Sequence, residues 1–227
     1  MPGTLYVVAT PIGNLEDITL RALRVLKEVD LIAAEDTRRT RVLLTHYGIA
    51  TPTTSYFERN KLRKGEMIVR SLSEGKSVAL VTDAGTPGLS DPGFHLAMLA
   101  RSAGIPVVPV PGPSALTAAL SASGIPSDRF IFEGFLSIKP GRRLNQLRAL
   151  KAVGRTIVLY ESPHRLLKTL AAIEEVFGPV RLSVFRELTK KFEEVRHGTP
   201  SELIQHFEAQ GVRGEFTLVI PAGTGDD

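Results

Sequence analysis

Asp83 and Asp91 bracket the loop Thr82-Asp-Ala-Gly-Thr-Pro-Gly-Leu-Ser-Asp-Pro-Gly93, in which Gly85, Gly88 and Gly93 are interleaved with Pro87 and Pro92. Glycine lets the main chain approach a ligand or take positive φ, proline fixes φ and removes a donor, and aspartate supplies acceptors or caps a helix. A loop with all three, placed straight after the apolar run Val78–Val81, is built to hold a ligand. The same grammar returns in Val107-Val-Pro-Val-Pro-Gly-Pro-Ser-Ala115. Pro11, Pro87, Pro111 and Pro113 either simply end strands or shape a pocket in which main-chain groups read a flat heteroaromatic ring. Ser114 and Ala115 then offer a helix N-terminus to a carboxylate. Asp91-Pro reads first as an N-cap with proline at N1, whereas Asp83, at a strand end, is free to accept from a ligand's hydroxyls.

Other chemistries lack their residues. There is no G-x-G-x-x-G after the first strand and no G-x-x-x-x-G-K-[ST], which counts against nicotinamide cofactors and nucleoside triphosphates. Ser162-Pro-His164 has no nucleophile elbow around it, so Ser162 reads as a cap for the helix that follows at Arg165. The chain has no cysteine, and His46, His95, His164, His197 and His206 show no ligand spacing; no metal is expected.

The elements that must carry these loops alternate. Strands are expected at Leu5–Ala9, Leu31–Ala34, Val78–Val81 and Val107–Val110, with a short edge strand within Thr51–Tyr56. Helices are expected near Asp17–Glu28, Thr40–Tyr47, Glu58–Ser73 and Phe94–Ala103. This pattern predicts a largely parallel sheet with helices on both faces, whose ligands sit outside the carboxyl ends of the strands. After the polar Gly/Pro stretch Ser121–Asp128 the character changes. Strands Phe130–Glu133, Thr156–Tyr160, Arg181–Phe185, Glu193–His197 and Phe216–Ile220 alternate with helices Arg142–Lys151, Arg165–Phe177 and Pro200–Gln210. A hairpin around Leu188–Lys191 makes this sheet mixed. The fold class is therefore α/β with two α/β domains, 1–117 and 118–222, and a flexible tail at 223–227.

At 227 residues and 43% hydrophobic, the chain can bury a substantial core. No apolar run approaches the roughly 20 residues that span a bilayer, and the N-terminus lacks a signal-peptide pattern, so the expected location is cytoplasmic. The net charge of +4 favours a polyanionic partner. Lys139, Arg142, Arg143, Arg148, Lys151 and Arg155 occur between Leu136 and Tyr160 without an acid, and Arg59, Lys61, Arg63 and Lys64 form a second cluster. Each cluster reads equally as a solvated helix face or as a phosphate-contacting surface.

The motifs Val8-Ala-Thr-Pro-Ile-Gly-Asn-Leu15, Ala34-Glu-Asp-Thr-Arg38, Val81 to Gly93, Val110-Pro-Gly-Pro-Ser-Ala115, Phe132-Glu-Gly-Phe-Leu136, Tyr160-Glu-Ser-Pro-His-Arg165 and Arg186-Glu-Leu-Thr-Lys-Lys-Phe-Glu193 converge. In this order, over nearly the whole chain, they resemble the tetrapyrrole-methylase superfamily, and more narrowly its ribosomal RNA branch, whose members methylate a cytidine 2′-hydroxyl of 16S rRNA. The resemblance implies S-adenosylmethionine folded into a cleft between two domains, a homodimer, and 16S rRNA or the small ribosomal subunit as partner. It implies cofactor contacts from Pro11, Gly13, Asp83, Ala84, Gly85, Thr86, Pro87, Pro111, Ser114 and Ala115, and from Glu133, Gly134, Phe135, Tyr160, Glu161 and Ser162. Glu35 and Asp36 with Arg186, Glu187 and Lys190 look like the RNA branch's own signature. They are the candidate catalytic groups, with Lys190 at a lowered pKa or a carboxylate taking the 2′-hydroxyl proton. Arg38, Arg59, Lys61, Arg63, Lys64, Arg142, Arg143 and Arg148 are the candidate RNA contacts. Members of this branch commonly continue into a small C-terminal helical extension, whereas this sequence stops soon after Gly214-Glu-Phe-Thr-Leu-Val-Ile-Pro221, either because it is truncated or because this member is short. C-methylation of a porphyrin-like ring and a non-catalytic role in ribosome assembly are the competing readings.

Overall fold

The computed structural model describes residues 1–222, so the tail expected at 223–227 lies outside the described residues. The chain divides into two compact units, Met1–Ser114 and Ala115–Asp227. The division falls ahead of the expected 117/118 boundary because the helix that starts at Ala115 packs on a strand of the second unit.

In the first unit, strands β1 (Leu5–Val8), β2 (Leu31–Ala34), β3 (Thr53–Ser55), β4 (Val78–Val81) and β5 (Val107–Val110) form one sheet in the order β3-β2-β4-β1-β5. All pairings are parallel. Side chains alternate across a pleat, so each apolar strand feeds two cores. Ala79 and Val81 pack with Val25, Leu26 and Leu43 of α1 (Leu20–Glu28) and α2 (Thr37–His46). Val78 and Leu80 pack with Ile68, Leu72 and Leu96 of α3 (Lys61–Ser73) and α4 (Gly93–Ser102).

Helix starts differ from the sequence reading because caps set them. Thr19 accepts from Ala22 N–H, so α1 begins at Leu20 after a 3-10 turn at Leu15–Asp17 rather than at Asp17. Asp36 accepts from Arg38 N–H, so α2 begins at Thr37 rather than Thr40.

The second unit contains α5 (Ala115–Ala122), β6 (Phe130–Gly134), α6 (Pro140–Ala152), β7 (Thr156–Glu161), α7 (Leu166–Phe177), β8 (Leu182–Arg186), β9 (Glu194–Gly198), α8 (Pro200–Gln210) and β10 (Phe216–Ile220). The sheet order is β6-β7-β10-β8-β9. Only β6 and β7 pair in parallel; β7–β10, β10–β8 and the β8–β9 hairpin are antiparallel, which makes the sheet mixed. Leu147, Leu170, Ile173 and Phe207 cover one face, while Leu116 and Leu120 of α5 cover Val158, Phe185 and Val219 on the other. Thr199 and Glu202 close a capping box at the start of α8, with Pro200 in its first turn.

Candidate active site

A parallel sheet brings the carboxyl ends of β1, β2, β4 and β5 to one edge, so their loops meet. Thr10 and Gly85 bridge the β1 and β4 loops through N–H to carbonyl bonds of 2.9 and 3.0 Å. Gly85 has φ of +85°, and a Cβ there would stand 3.3 Å from Ile12, so the position demands glycine. Thr10 Oγ1 donates to the Thr82 carbonyl at 3.1 Å, and Thr86 Oγ1 donates to the Pro113 carbonyl at 3.2 Å, pinning the β5 loop. Asp91 closes its own loop by accepting from Gly88 N–H at 2.9 Å and Gly93 N–H at 2.7 Å. It therefore satisfies a first-turn donor of α4, but the N-cap position itself belongs to Pro92.

A latch joins the ends of β2 and β4. Thr82 Oγ1 donates to Glu35 Oε2 at 2.6 Å, Asp83 N–H approaches the same oxygen at 3.3 Å, and Asp36 N–H donates to Asp83 Oδ1 at 2.9 Å. Arg39 Nη1 stands 3.4 Å from Asp83 Oδ2. Burial, and then the Glu35 charge, push the Asp83 carboxyl up from its ordinary value. Asp36 is driven the other way: the Arg38 side chain, followed by its backbone N–H, holds the Asp36 carboxyl well below the usual range. Between this latch, the β1 loop and α2 lies a cavity of about 110 Å³ whose polar wall includes Arg39, Thr40 and Asp83. Sequence reading passed over Arg39 and Thr40. The signal was Asp36 as N-cap, which puts Arg39 and Thr40 in the first turn of α2.

In the second unit a bulge between Phe132 and Gly134 breaks the β6 register, and Gly134 takes φ of +69°, turning Glu133 and Phe135 out to solvent. Tyr160 packs edge-on to Phe132 and Phe135 at 4.8 and 6.0 Å between ring centres, and its hydroxyl accepts from Leu116 N–H at 3.2 Å. That bond takes up one donor of the α5 N-terminus, which the sequence reading offered to a carboxylate ligand.

Glu161 departs from its expected role. It is buried, with Oε1 accepting from Ser162 N–H at 2.8 Å and facing Arg165 Nε at 3.2 Å, while Oε2 accepts from Thr169 Oγ1 at 2.6 Å. A carboxylate so occupied holds the turn into α7 and is not presented to a cofactor. Arg165 also donates to the Leu136 carbonyl, which ties this turn to the Gly134–Leu136 loop. Ser162 does not cap α7 with its side chain; its carbonyl accepts from Arg165 and Leu166 N–H, and Arg165 is the N-cap residue.

The Arg186–Lys190 segment turns from β8 toward β9. Glu187 and Thr189 hold φ of +51° and +66°, a conformation that costs residues other than glycine about 1 kcal/mol or more each. Lys190 Nζ sits 2.9 Å from Glu187 and 2.8 Å from Glu215, and Arg186 pairs with Glu194 at 3.3 Å. The expected lowering of the Lys190 pKa does not occur: burial works downward, but the hydrogen bonds and charges of Glu215 and Glu187 outweigh it and raise the value. For Glu187, burial works upward and is overcome by Lys190, the Glu215 N–H and Arg186, which lower it. Neither group is tuned to take a proton near neutral pH.

Of the candidate RNA contacts, Arg38, Arg59, Arg63, Arg142 and Arg148 are exposed. Lys61 pairs with Glu58 at 2.5 Å, Lys64 donates to Thr54 Oγ1 at 2.9 Å, Arg148 meets Glu175 at 3.1 Å, and Arg38 embraces Asp36 through Nε and Nη2 at 3.0 and 2.6 Å. Arg143 is a correction: it is 6% exposed and shares the packed face of α6 with Leu147 and Leu150, so it is not offered to an RNA backbone.

The family model for tetrapyrrole (corrin/porphyrin) methylases matches residues 4–204. The chain belongs to that family. This tetrapyrrole methylase is 55% identical over 221 residues to the ribosomal RNA small subunit methyltransferase I of Pseudomonas aeruginosa, an alignment covering 96% of this chain and 78% of the relative. It is 52% identical over 218 residues to the protein of the same name from Thermotoga maritima, covering 96% of this chain and 98% of that one. Among solved structures, it resembles the uroporphyrin-III C-methyltransferase of Thermus thermophilus with a TM-score of 0.69 and 26% identity, over 98% of this chain and 96% of that one. Cobalt precorrin-4 methyltransferase shares the fold with a TM-score of 0.73 at 19% identity, over 96% and 94% of the two chains. This tetrapyrrole methylase is therefore a methyltransferase with the fold its sequence implied.

Proposed function

We propose that the protein transfers a methyl group from S-adenosylmethionine to the ribose 2′-hydroxyl of a cytidine in the 16S rRNA of the small ribosomal subunit. The observation that carries this reading is the identity of 52% with a ribosomal RNA small subunit methyltransferase I that this chain matches over 98% of its length.

The strand-end loops of the first unit fit the cofactor. Gly85 leaves open a space that a Cβ would narrow against Ile12 and Pro113, and Gly112 approaches Ala9 so closely that a Cβ would lie 3.1 Å away. Main-chain groups of Pro11–Gly13, Asp83–Pro87 and Pro111–Ser114 bind and orient S-adenosylmethionine there. Within the second unit, taken by itself, the Phe135 and Tyr160 rings stand 6.0 Å apart next to Gly134. When bound, S-adenosylmethionine would supply a sulfonium methyl open to in-line displacement, with its thioether as leaving group and the 2′-hydroxyl proton passing to water. The residues of this chain then contribute alignment, which converts a bimolecular encounter into a positioned one. Lys190, whose pKa is raised by Glu215 and Glu187, and Arg186 act as orienting charges toward the sugar-phosphate backbone and not as bases. Replacing Lys190 by alanine is expected to lower kcat/KM roughly 10- to 100-fold, and unchanged turnover would remove it from the reaction.

Arg59, Arg63, Arg142 and Arg148 supply exposed positive charge for the RNA. By the same resemblance the enzyme works as a homodimer in the cytoplasm, where sedimentation velocity is expected to give about twice 24.6 kDa. Among the described residues no helix is long and apolar enough to cross a membrane. The test is incubation with labelled S-adenosylmethionine and, in parallel, undermethylated 30S subunits or uroporphyrinogen. Label in rRNA alone supports the proposal, and label in the tetrapyrrole alone replaces it with C-methylation.

A further inference from the structure

The cavity beside the Glu35–Asp83 latch borders the cofactor loops at Thr10, Pro11 and Asp83 and extends from them onto α2 at Arg39, Thr40, Val42 and Leu43. Its apolar wall is made by Pro11 and Leu15 of the β1 loop and by Val42 and Leu43 of α2. Leu43 is buried, whereas Val42 is 63% exposed, so the wall runs from the interior out to a solvent-facing rim. At about 110 Å³ the space is smaller than the enclosed cavity of about 150 Å³ that admits benzene, so it takes the leading edge of a single ring entering from the open rim. A purine is too large for it.

The polar groups on the wall are sorted by their existing bonds. The Thr10 and Thr82 hydroxyls donate within the latch, to the Thr82 carbonyl and to Glu35. Asp83 Oδ1 is held by Asp36 N–H, which fixes the carboxylate plane and leaves Oδ2 facing Arg39 across 3.4 Å, a loose pair with an exposed guanidinium. An acceptor and a donor thus stand side by side above an apolar slot.

We propose that this cavity receives the flipped-out pyrimidine of the target nucleotide, with Asp83 accepting from the cytosine 4-amino group and Arg39 donating to N3 or O2. A carboxylate is the group that reads the cytosine amino edge; base extrusion into a slot is the device of enzymes whose chemistry is on the base, and here it would serve to read the base while its ribose oxygen is presented to the methyl donor. Uracil presents a carbonyl where cytosine presents the amino group, so it meets Asp83 oxygen to oxygen. The inference rests on the proposed RNA substrate and deepens it: Asp83, whose main chain serves the cofactor loop, becomes through its side chain a specificity-determining residue.

The experiment uses full-length wild type, Asp83→Asn and Val42→Trp, with undermethylated 30S subunits carrying cytidine or uridine at the target position. S-adenosylmethionine affinity is measured in parallel by calorimetry. Asp83→Asn keeps an oxygen for Asp36 N–H but can turn a donor to the uracil carbonyl. Its preference for cytidine over uridine is expected to fall 10-fold or more. Val42→Trp fills the slot from its rim, and is expected to lose at least 50-fold in kcat/KM for subunits with S-adenosylmethionine affinity within about threefold of wild type. Loss of cofactor affinity in Val42→Trp, or its full activity on subunits, overturns the proposal, as does an unchanged preference in Asp83→Asn. Should Asp83→Asn be inactive on both substrates, the preference is read on Arg39→Gln, where a fall of the same size supports the slot and an unchanged preference overturns it. Wild type that methylates subunits while these variants contradict the slot removes the slot alone; wild type that methylates no subunit removes the RNA substrate and the slot together.

Discussion

A carboxylate survives burial only where its lone pairs find donors, and Glu161 finds them in Ser162 N–H, Arg165 and Thr169 Oγ1. Removing it leaves the Arg165 guanidinium, itself 22% exposed, without its counter-charge. Glu161→Ala is therefore expected to destabilise the second unit by about 3 kcal/mol, read by urea unfolding, while a loss below about 0.5 kcal/mol would place Glu161 among ordinary surface changes. Glu187 gives a pH signature. Its folded pKa is depressed, so its contribution to stability is present above its unfolded value near 4.5 and is lost as pH falls through the folded value. The stability difference between wild type and Glu187→Gln should accordingly be largest near neutral pH and shrink below 4.5; a difference that grows with acid would mean that the Lys190 and Glu215 contacts do not hold in solution. At this scale the sequence was a partial guide. The position of Asp83, at a strand end before a glycine-rich turn, was legible. Glu161, Lys190 and Arg143 were not, because their roles depend on Thr169, on Glu215 and on the packed face of α6, which no spacing near them announces.

Among elements, the strand-end loops depend on backbone shape. At Gly85 a side chain must adopt φ of +85° and crowd Ile12 at 3.3 Å. Gly85→Ala is expected to cost about 1–2 kcal/mol from backbone strain and to weaken S-adenosylmethionine binding at least tenfold by calorimetry; wild-type affinity would mean that the Thr10–Gly85 bridge does not shape the cofactor site. The strands that carry these loops were readable because buried parallel strands are short apolar runs bounded by turn residues, as at Val78–Val81. Their order was not, since nothing in a strand's own residues says that β4 lies between β1 and β2. Helix ends were missed where a cap outweighed periodicity: Thr19 and Asp36 set the starts of α1 and α2, and Ser162 offered a carbonyl where its hydroxyl was expected.

For the molecule as a whole, a net charge of +4 with exposed Arg59, Arg63 and Arg142 makes association with RNA an electrostatic matter. Each neutralised phosphate releases counterions, so kcat/KM at low subunit concentration should fall steeply with salt, and the double variant Arg59→Ala, Arg63→Ala should lessen the logarithmic slope by about one for each phosphate that is no longer neutralised. Equal slopes would leave this cluster a solvated helix face, the reading that the sequence alone left open beside RNA binding. The central claim is that methyl transfer ends on a cytidine ribose oxygen in the small subunit. The most direct measurement is alkaline hydrolysis of rRNA recovered after reaction with labelled S-adenosylmethionine, because a methylated 2′-oxygen cannot attack the neighbouring phosphodiester. Label retained in an alkali-resistant dinucleotide beginning with cytidine is the predicted result; label released in mononucleotides, or found on a base, would contradict it.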